Sequence, residues 1–174
     1  MRYVIVSVVK GKAGEFNNNL RKDVYEKFGA KSSKLPAHFT IKSPFEAENI
    51  NELDIILNKF CINNKAYSYK ILGFDHFDDR VVYMKVNMSK KGKMVHDNLI
   101  DEISTLNFVN FLQHDGKNKI FHVTIASKKI QPIFNEIYTY VNSINCKFDC
   151  LLDNISVFKW VNNTWVLHKE YLLK

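Results

Sequence analysis

The sequence predicts an α+β protein of two pseudo-symmetric lobes, each an antiparallel sheet with helices outside, made from duplicated β-α-β-α-β units around a central cleft. Two observations lead there. Apolar residues alternate between a period of two and a period near 3.6 in a regular order along the chain. That order then repeats, and each copy carries one formula, His-apolar-Thr-Ile, at His38-Phe39-Thr40-Ile41 and again at His122-Val123-Thr124-Ile125.

Each element follows from its own residues. Residues 2–9, rich in Val and Ile, read as a strand. In "GEFNNNLRKDVYEKFG" (14–29), Phe16, Leu20, Val24 and Phe28 recur every four positions and Gly29 supplies a stop signal, the signature of an amphipathic helix. The first motif strand covers 37–43 and should end at Pro44. Ile50, Leu53, Ile56, Leu57 and Phe60 mark a helix over 49–61. "AYSYKILGF" and "RVVYMKVNM" read as strands joined through the Asp-rich "DHFDDR".

The second half begins at "RVVYMKV" and gives the series again. Met94, Leu99, Ile103 and Leu106 outline a helix over 92–106, followed by the second motif strand at 119–126. Pro132 falls in the first turn of a helix over 131–143, where its missing N–H does little harm. Strands at 147–159 and 164–172, joined by a turn at "VNNT", add one strand beyond the repeat. The expectation is one domain over 1–174, with lobes at about 1–79 and 80–174.

The composition excludes several classes. Hydrophobic residues make up 46% and charged residues 25%, the balance of an ordinary globular protein. No apolar run is long enough for a membrane helix. In "MRYVIVSVVKGK", Ser7 and Lys10 interrupt the apolar stretch and no small-residue cleavage site follows, so a signal peptide is rejected and a cytoplasmic location is expected. A net charge of +7 favours anionic partners such as nucleotides and RNA, although lysines in "KSSK" and "SKKGK" also read as solvated loops. Three cysteines do not make a disulfide framework, and Cys146 and Cys150 read as small buried residues. No Gly-x-Ser-x-Gly elbow or phosphate-binding Gly-x-x-x-x-Gly-Lys-Ser/Thr loop is present.

The paired motif carries the chemistry. Positions i and i+2 of a strand share a face, so His38 and Thr40 point one way while Phe39 and Ile41 pack the other; His122 and Thr124 do the same against Val123 and Ile125. A pseudo-twofold brings two imidazoles and two hydroxyls to one cleft. In-line cleavage of a phosphodiester needs a base on the attacking oxygen and an acid on the leaving one, and histidine serves either role near neutral pH. Threonine hydroxyls can donate to the non-bridging oxygens, where charge gathers in the transition state. No metal or other cofactor is expected.

Two His-x-Thr motifs in matching strands, one per half, resemble the 2H phosphoesterase superfamily, which includes 2′-5′ RNA ligase-like proteins and cyclic nucleotide phosphodiesterases. The resemblance covers the whole chain. It implies metal-independent hydrolysis of a 2′,3′-cyclic phosphate, or a related phosphodiester of an RNA end or nucleotide, with His38 and His122 as the acid–base pair and Thr40 and Thr124 binding phosphate. Which histidine is the acid stays open. The alternatives are a 2′-5′ RNA end-ligase and a non-catalytic RNA- or nucleotide-binding module using the same cleft. The expected partner is the nucleotide or RNA-end substrate, with no membrane, and a monomer is favoured.

Further candidates are weaker. Lys42, at i+4 from His38, should share its face and could meet phosphate or ribose, or sit at a solvated strand end. Phe45 could stack on a base, with core packing the stronger reading. Ser127 and Lys128 rank below these. His76, His96 and His168 read as structural or surface residues, and His114, on the loop before the second motif, is a marginal cleft candidate.

Overall fold

The computed structural model describes residues 1–112 and 115–174, so His114 lies outside the described residues. The elements in order are β1 (Arg2–Val8), α1 (Gly11–Phe28), β2 (His38–Glu46), α2 (Asn51–Asn63), β3 (Tyr67–Phe77), β4 (Val81–Met88), α3 (Lys90–Ser104), β5 (His122–Ala126), a 3₁₀ turn (Gln131–Ile133), α4 (Phe134–Asn142), β6 (Lys147–Leu152), β7 (Asn154–Val161) and β8 (Thr164–Leu172). They form two four-stranded antiparallel sheets, ordered β2-β1-β7-β8 and β5-β4-β3-β6. In both, the motif strand is at the edge and pairs with the strand that opens its half of the chain. The two motif edges meet each other.

The sheets do not follow the lobe boundary expected at 79/80. Strand β3 belongs to the first half of the sequence but pairs with β4 directly across that point, while β7 returns to pair with β1 and β8 pairs with β7. The single strand expected over 147–159 is accordingly two, interrupted at Asp153 where the chain leaves one sheet for the other. Asn154 fastens the crossing. Its side chain accepts from the Val8 N–H at 2.9 Å and donates to the Val8 carbonyl at 2.9 Å, imitating a ladder pair at the end of β1. Pro44 does not end β2 either. It is exposed within an irregular stretch between the Lys42 and Phe45 pairings, where an edge strand tolerates a missing donor.

Helix α1 begins at Gly11, earlier than expected, and ends where the sequence indicates. Gly29 adopts the left-handed conformation (φ 68°), and its N–H closes the last turn on the Tyr25 carbonyl at 2.8 Å. Although α1 links two strands of the first sheet, it packs on β5 and β6 of the second. Helix α2 covers β7 and β8, whereas α3 and α4 lie against β3. One apolar cluster runs through both sheets, from Ile5 and Phe39 to Ile71, Val82 and Val123.

Candidate active site between the motif strands

Alternation works at each motif as the sequence predicts. Phe39 and Ile41 are each 1% exposed and Val123 and Ile125 no more than that, while His38, Thr40, His122 and Thr124 are half-buried on the opposite face. Three contacts set how the strands oppose each other. The Phe39 and Phe121 rings meet edge-on, with centroids 5.4 Å apart. Lys119 Nζ donates to the Thr40 carbonyl at 3.0 Å and to the Ile41 carbonyl at 2.8 Å. Lys31 and Lys128 form an antiparallel bridge. The motif segments therefore run in opposite senses, with His38 facing the start of β5, where His122 stands.

Both imidazoles are oriented by one device. His38 Nδ1 lies 2.7 Å from the Pro36 carbonyl, and His122 Nδ1 lies 2.9 Å from the Ile120 carbonyl, in each case two residues upstream. A carbonyl only accepts, so each neutral ring carries its proton on Nδ1 and keeps a lone pair on Nε2. Burial pushes His38 down to about 4, outweighing the Pro36 carbonyl, and the positive charges of Arg21 and His122 add to the fall. His122 is also lowered, by burial first and then by Lys119, against the Ile120 carbonyl. Burial thus favours the neutral form of both imidazoles. Phe77 and Tyr83 flank His122, with centroids 4.9 and 5.2 Å from its ring.

Residues outside the motifs hold these strands. Asn17 of α1 is fully buried, and its Nδ2 donates to the Thr124 carbonyl at 3.3 Å. One turn further along α1, Arg21 gathers the segment before β2, donating to Ser32 Oγ at 2.6 Å, to the Leu35 carbonyl at 2.9 Å and to the Ser33 carbonyl. Lys119 is lowered to about 8 by burial, which outweighs the Asp115 charge, while Lys42 lowers it further. Asn17 and Arg21 carry no distinguishing signal, since Asn18 and Lys22 beside them look the same in sequence.

Lys42 does not share the His38 face. Val6 pairs with Thr40 and Ile5 with Lys42, so a bulge at Ile41 inserts an extra residue and reverses the alternation beyond it. Lys42 is 0% exposed, and its ammonium is consumed by Asp115 Oδ2 at 2.9 Å, the Ser43 carbonyl at 3.0 Å and Ser43 Oγ at 3.2 Å. No donor is left for a phosphate. Phe45 is buried against Tyr3, at 6.0 Å between centroids, as a core residue. His96, on α3, takes the structural of its two readings. It is buried, bonds to Asp97 through Nδ1 at 3.0 Å and abuts Phe121 at 4.8 Å. His76 packs edge-on against the stacked Phe134 and Tyr138 rings, and His168 lies 3.3 Å from Asp54.

Known proteins match this architecture along nearly its whole length. A family model described as the 2′-5′ RNA ligase superfamily matches residues 12–164. A protein of Geobacillus sp. (strain WCH70) that carries a provisional phosphoesterase name is 23% identical over 180 residues, covering 99% of this chain and 96% of the relative. Among solved structures, TT0787 of Thermus thermophilus superposes with a TM-score of 0.71 at 11% identity, covering 99% of this chain and 98% of that one. Escherichia coli LigT complexed with 3′-AMP gives 0.65 at 11% identity, with the same shares covered. At such identities the structural likeness speaks for the fold.

Proposed function

We propose that this chain, which belongs to the 2′-5′ RNA ligase superfamily, is a phosphoesterase that hydrolyses a 2′,3′-cyclic phosphate or related phosphodiester of an RNA end or nucleotide by two-histidine acid–base catalysis. The observation that carries this reading is the matched orientation of His38 and His122, each with Nδ1 committed to a carbonyl and Nε2 left for proton transfer, on facing edge strands. One neutral Nε2 takes a proton from the attacking water as the new P–O bond forms. The other imidazole, charged when the anionic substrate is bound, gives its proton to the ribose oxygen as the old P–O bond breaks. The two rings end with their protonation states exchanged and reset through solvent. Thr40 and Thr124 donate to the non-bridging oxygens. The net charge of +7 and the solved complexes of E. coli LigT with 3′-AMP, NADP+ and ATP support a nucleotide or RNA-end substrate.

The test is turnover of 2′,3′-cyclic nucleotides in EDTA by the wild type, His38→Ala and His122→Ala. Each substitution should lower kcat by about 10²–10⁴-fold. Undiminished activity in both variants refutes the site, loss of activity in EDTA refutes the metal-free mechanism, and nucleotide binding without turnover indicates a binding module.

A further inference from the structure

A second basic feature stands beside the histidines. Helix α1, the 30–35 segment and Lys128 enclose an open cleft of about 460 Å³ whose lining includes Arg21, Lys22, Lys31, Lys34 and Lys128 and no carboxylate. Only Lys22 has an acidic partner, Glu26, at 3.7 Å in a pair exposed on both sides. Among the described residues, Arg21, Lys31, Lys34 and Lys128 have no carboxylate within salt-bridge distance. Arg21 spends its donors on neutral oxygens, and Lys34 donates to the Asn163 carbonyl at 2.6 Å. Four uncompensated cations converging on one cleft attract a polyanion. Tyr25, 47% exposed in the same lining, holds one of these cations at the cleft wall: Lys31 Nζ lies over its ring, 5.4 Å from the centroid.

The cleft and the catalytic strands share their supports. The Ser127 and Lys128 N–H groups both donate to the Lys31 carbonyl at 2.9 Å, joining the end of β5 to the cleft wall. The same wall runs on to Pro36, whose carbonyl orients His38. Lys128 stands six residues beyond His122, at most about 20 Å along an extended chain. A stacked strand places a phosphate about every 3.4 Å of its axis, so the cleft is within about six phosphates of the histidines.

We propose that this cleft binds an internal phosphate of a single-stranded RNA whose reacting terminal phosphate lies between His38 and His122, making an oligoribonucleotide, rather than a mononucleotide, the preferred substrate. The proposal rests on the phosphoesterase reading above. Its test compares kcat/KM for a 2′,3′-cyclic mononucleotide with that for an eight-nucleotide RNA ending in a 2′,3′-cyclic phosphate, at two salt concentrations. The wild type should prefer the RNA about tenfold or more. In Lys31→Gln/Lys128→Gln that preference ratio should fall about tenfold, with a salt dependence shallower by about 0.7 in log–log slope for each lost phosphate contact. Both side chains are exposed and the bridge between them is made by backbone, so the variant should melt as the wild type does. No preference in the wild type, or an equal fall on both substrates, overturns the proposal. Should neither substrate turn over, the phosphoesterase reading fails by itself. Fluorescence anisotropy with a labelled eight-nucleotide RNA then decides the cleft, and equal binding by wild type and variant refutes it.

Discussion

Replacing Asp115 by alanine should destabilise the protein more than any change at its surface. The carboxylate accepts from Lys42 Nζ at 2.9 Å, from Ser43 Oγ at 2.7 Å and from the Ser43 and Leu112 N–H groups at 3.1 Å each. Both members of the ion pair are 0% exposed at the side chain. Truncation leaves a buried ammonium without a counter-charge, a loss of about 3–5 kcal/mol. At roughly 2–4 °C per kcal/mol for a chain of this size, the melting temperature should fall by about 6–20 °C. Urea denaturation and calorimetry read both numbers.

The control is Lys42→Met/Asp115→Leu, which removes the charge together with its partner and should recover most of the loss. The pair also predicts an acid limb. Burial alone would raise Asp115, but the Lys42 ammonium, the Ser43 hydroxyl and the Leu112 and Ser43 amides hold it down at about 2. A carboxylate lowered on folding adds stability that is complete above its unfolded value, near 3.9, and is lost as pH falls toward 2. Asp115→Asn should lack that component. A loss below about 1 kcal/mol in Asp115→Ala, or an equal loss in the double variant, refutes the reasoning.

Two further outcomes follow from the site. Thr40→Val and Thr124→Val preserve strand packing but remove a hydroxyl each, so kcat should drop by about 10²-fold with little change in melting temperature, and serine at either position should restore most of it; unchanged kcat in both valine variants removes the hydroxyls from the mechanism. His38, His96 and His122 are all lowered on folding by burial, so the unfolded chain binds protons first and stability is complete above about pH 6.5, then declines toward pH 4. For His96, held at about 4 and 2% exposed, the loss amounts to roughly 3 kcal/mol; His96→Leu should flatten that part of the urea midpoint-versus-pH curve, and an unaltered curve contradicts it.

The sequence disclosed what depends on periodicity and repetition. Strand alternation aimed His38, Thr40, His122 and Thr124, and the repeat placed both motifs in equivalent strands. What it hid depends on departures from periodicity. Counting by twos put Lys42 on the His38 face, and a single extra residue at Ile41 turned it into the core. Over 147–159 the alternation shifts phase across Asp153 and Asn154, from Phe148, Cys150 and Leu152 to Ile155 and Val157, but the bond that makes this a change of sheet, from Asn154 to Val8, spans 146 positions and no local window contains it. The lobe boundary failed for a related reason. Strand β3 fits the end of one repeat, but its hairpin partner β4 opens the next, and a short hairpin prevails over repeat order. Asn17, Arg21 and Asp115 act across 11 to 107 positions, and residue type alone does not reveal such reach.

The two histidines owe their geometry to a place in the fold that the tripeptide does not spell. Each is the first residue of its strand, so the carbonyl two positions upstream lies outside the strand and can receive Nδ1. Each strand is also an edge, and an open edge is ordinarily a hazard for aggregation; here each motif edge is covered by the other, bringing the two rings together without crowding either into the middle of a sheet. Duplication supplies this skeleton twice, but it does not supply identical surroundings. His38 feels the Arg21 guanidinium, whereas His122 packs against the paired rings of Phe77 and Tyr83 with Lys119 close by. Unequal environments give two chemically identical imidazoles unequal proton affinities, which suits the division into acid and base proposed above. The repeat provides the pair of groups, and the residues outside the repeat pattern provide the inequality between them.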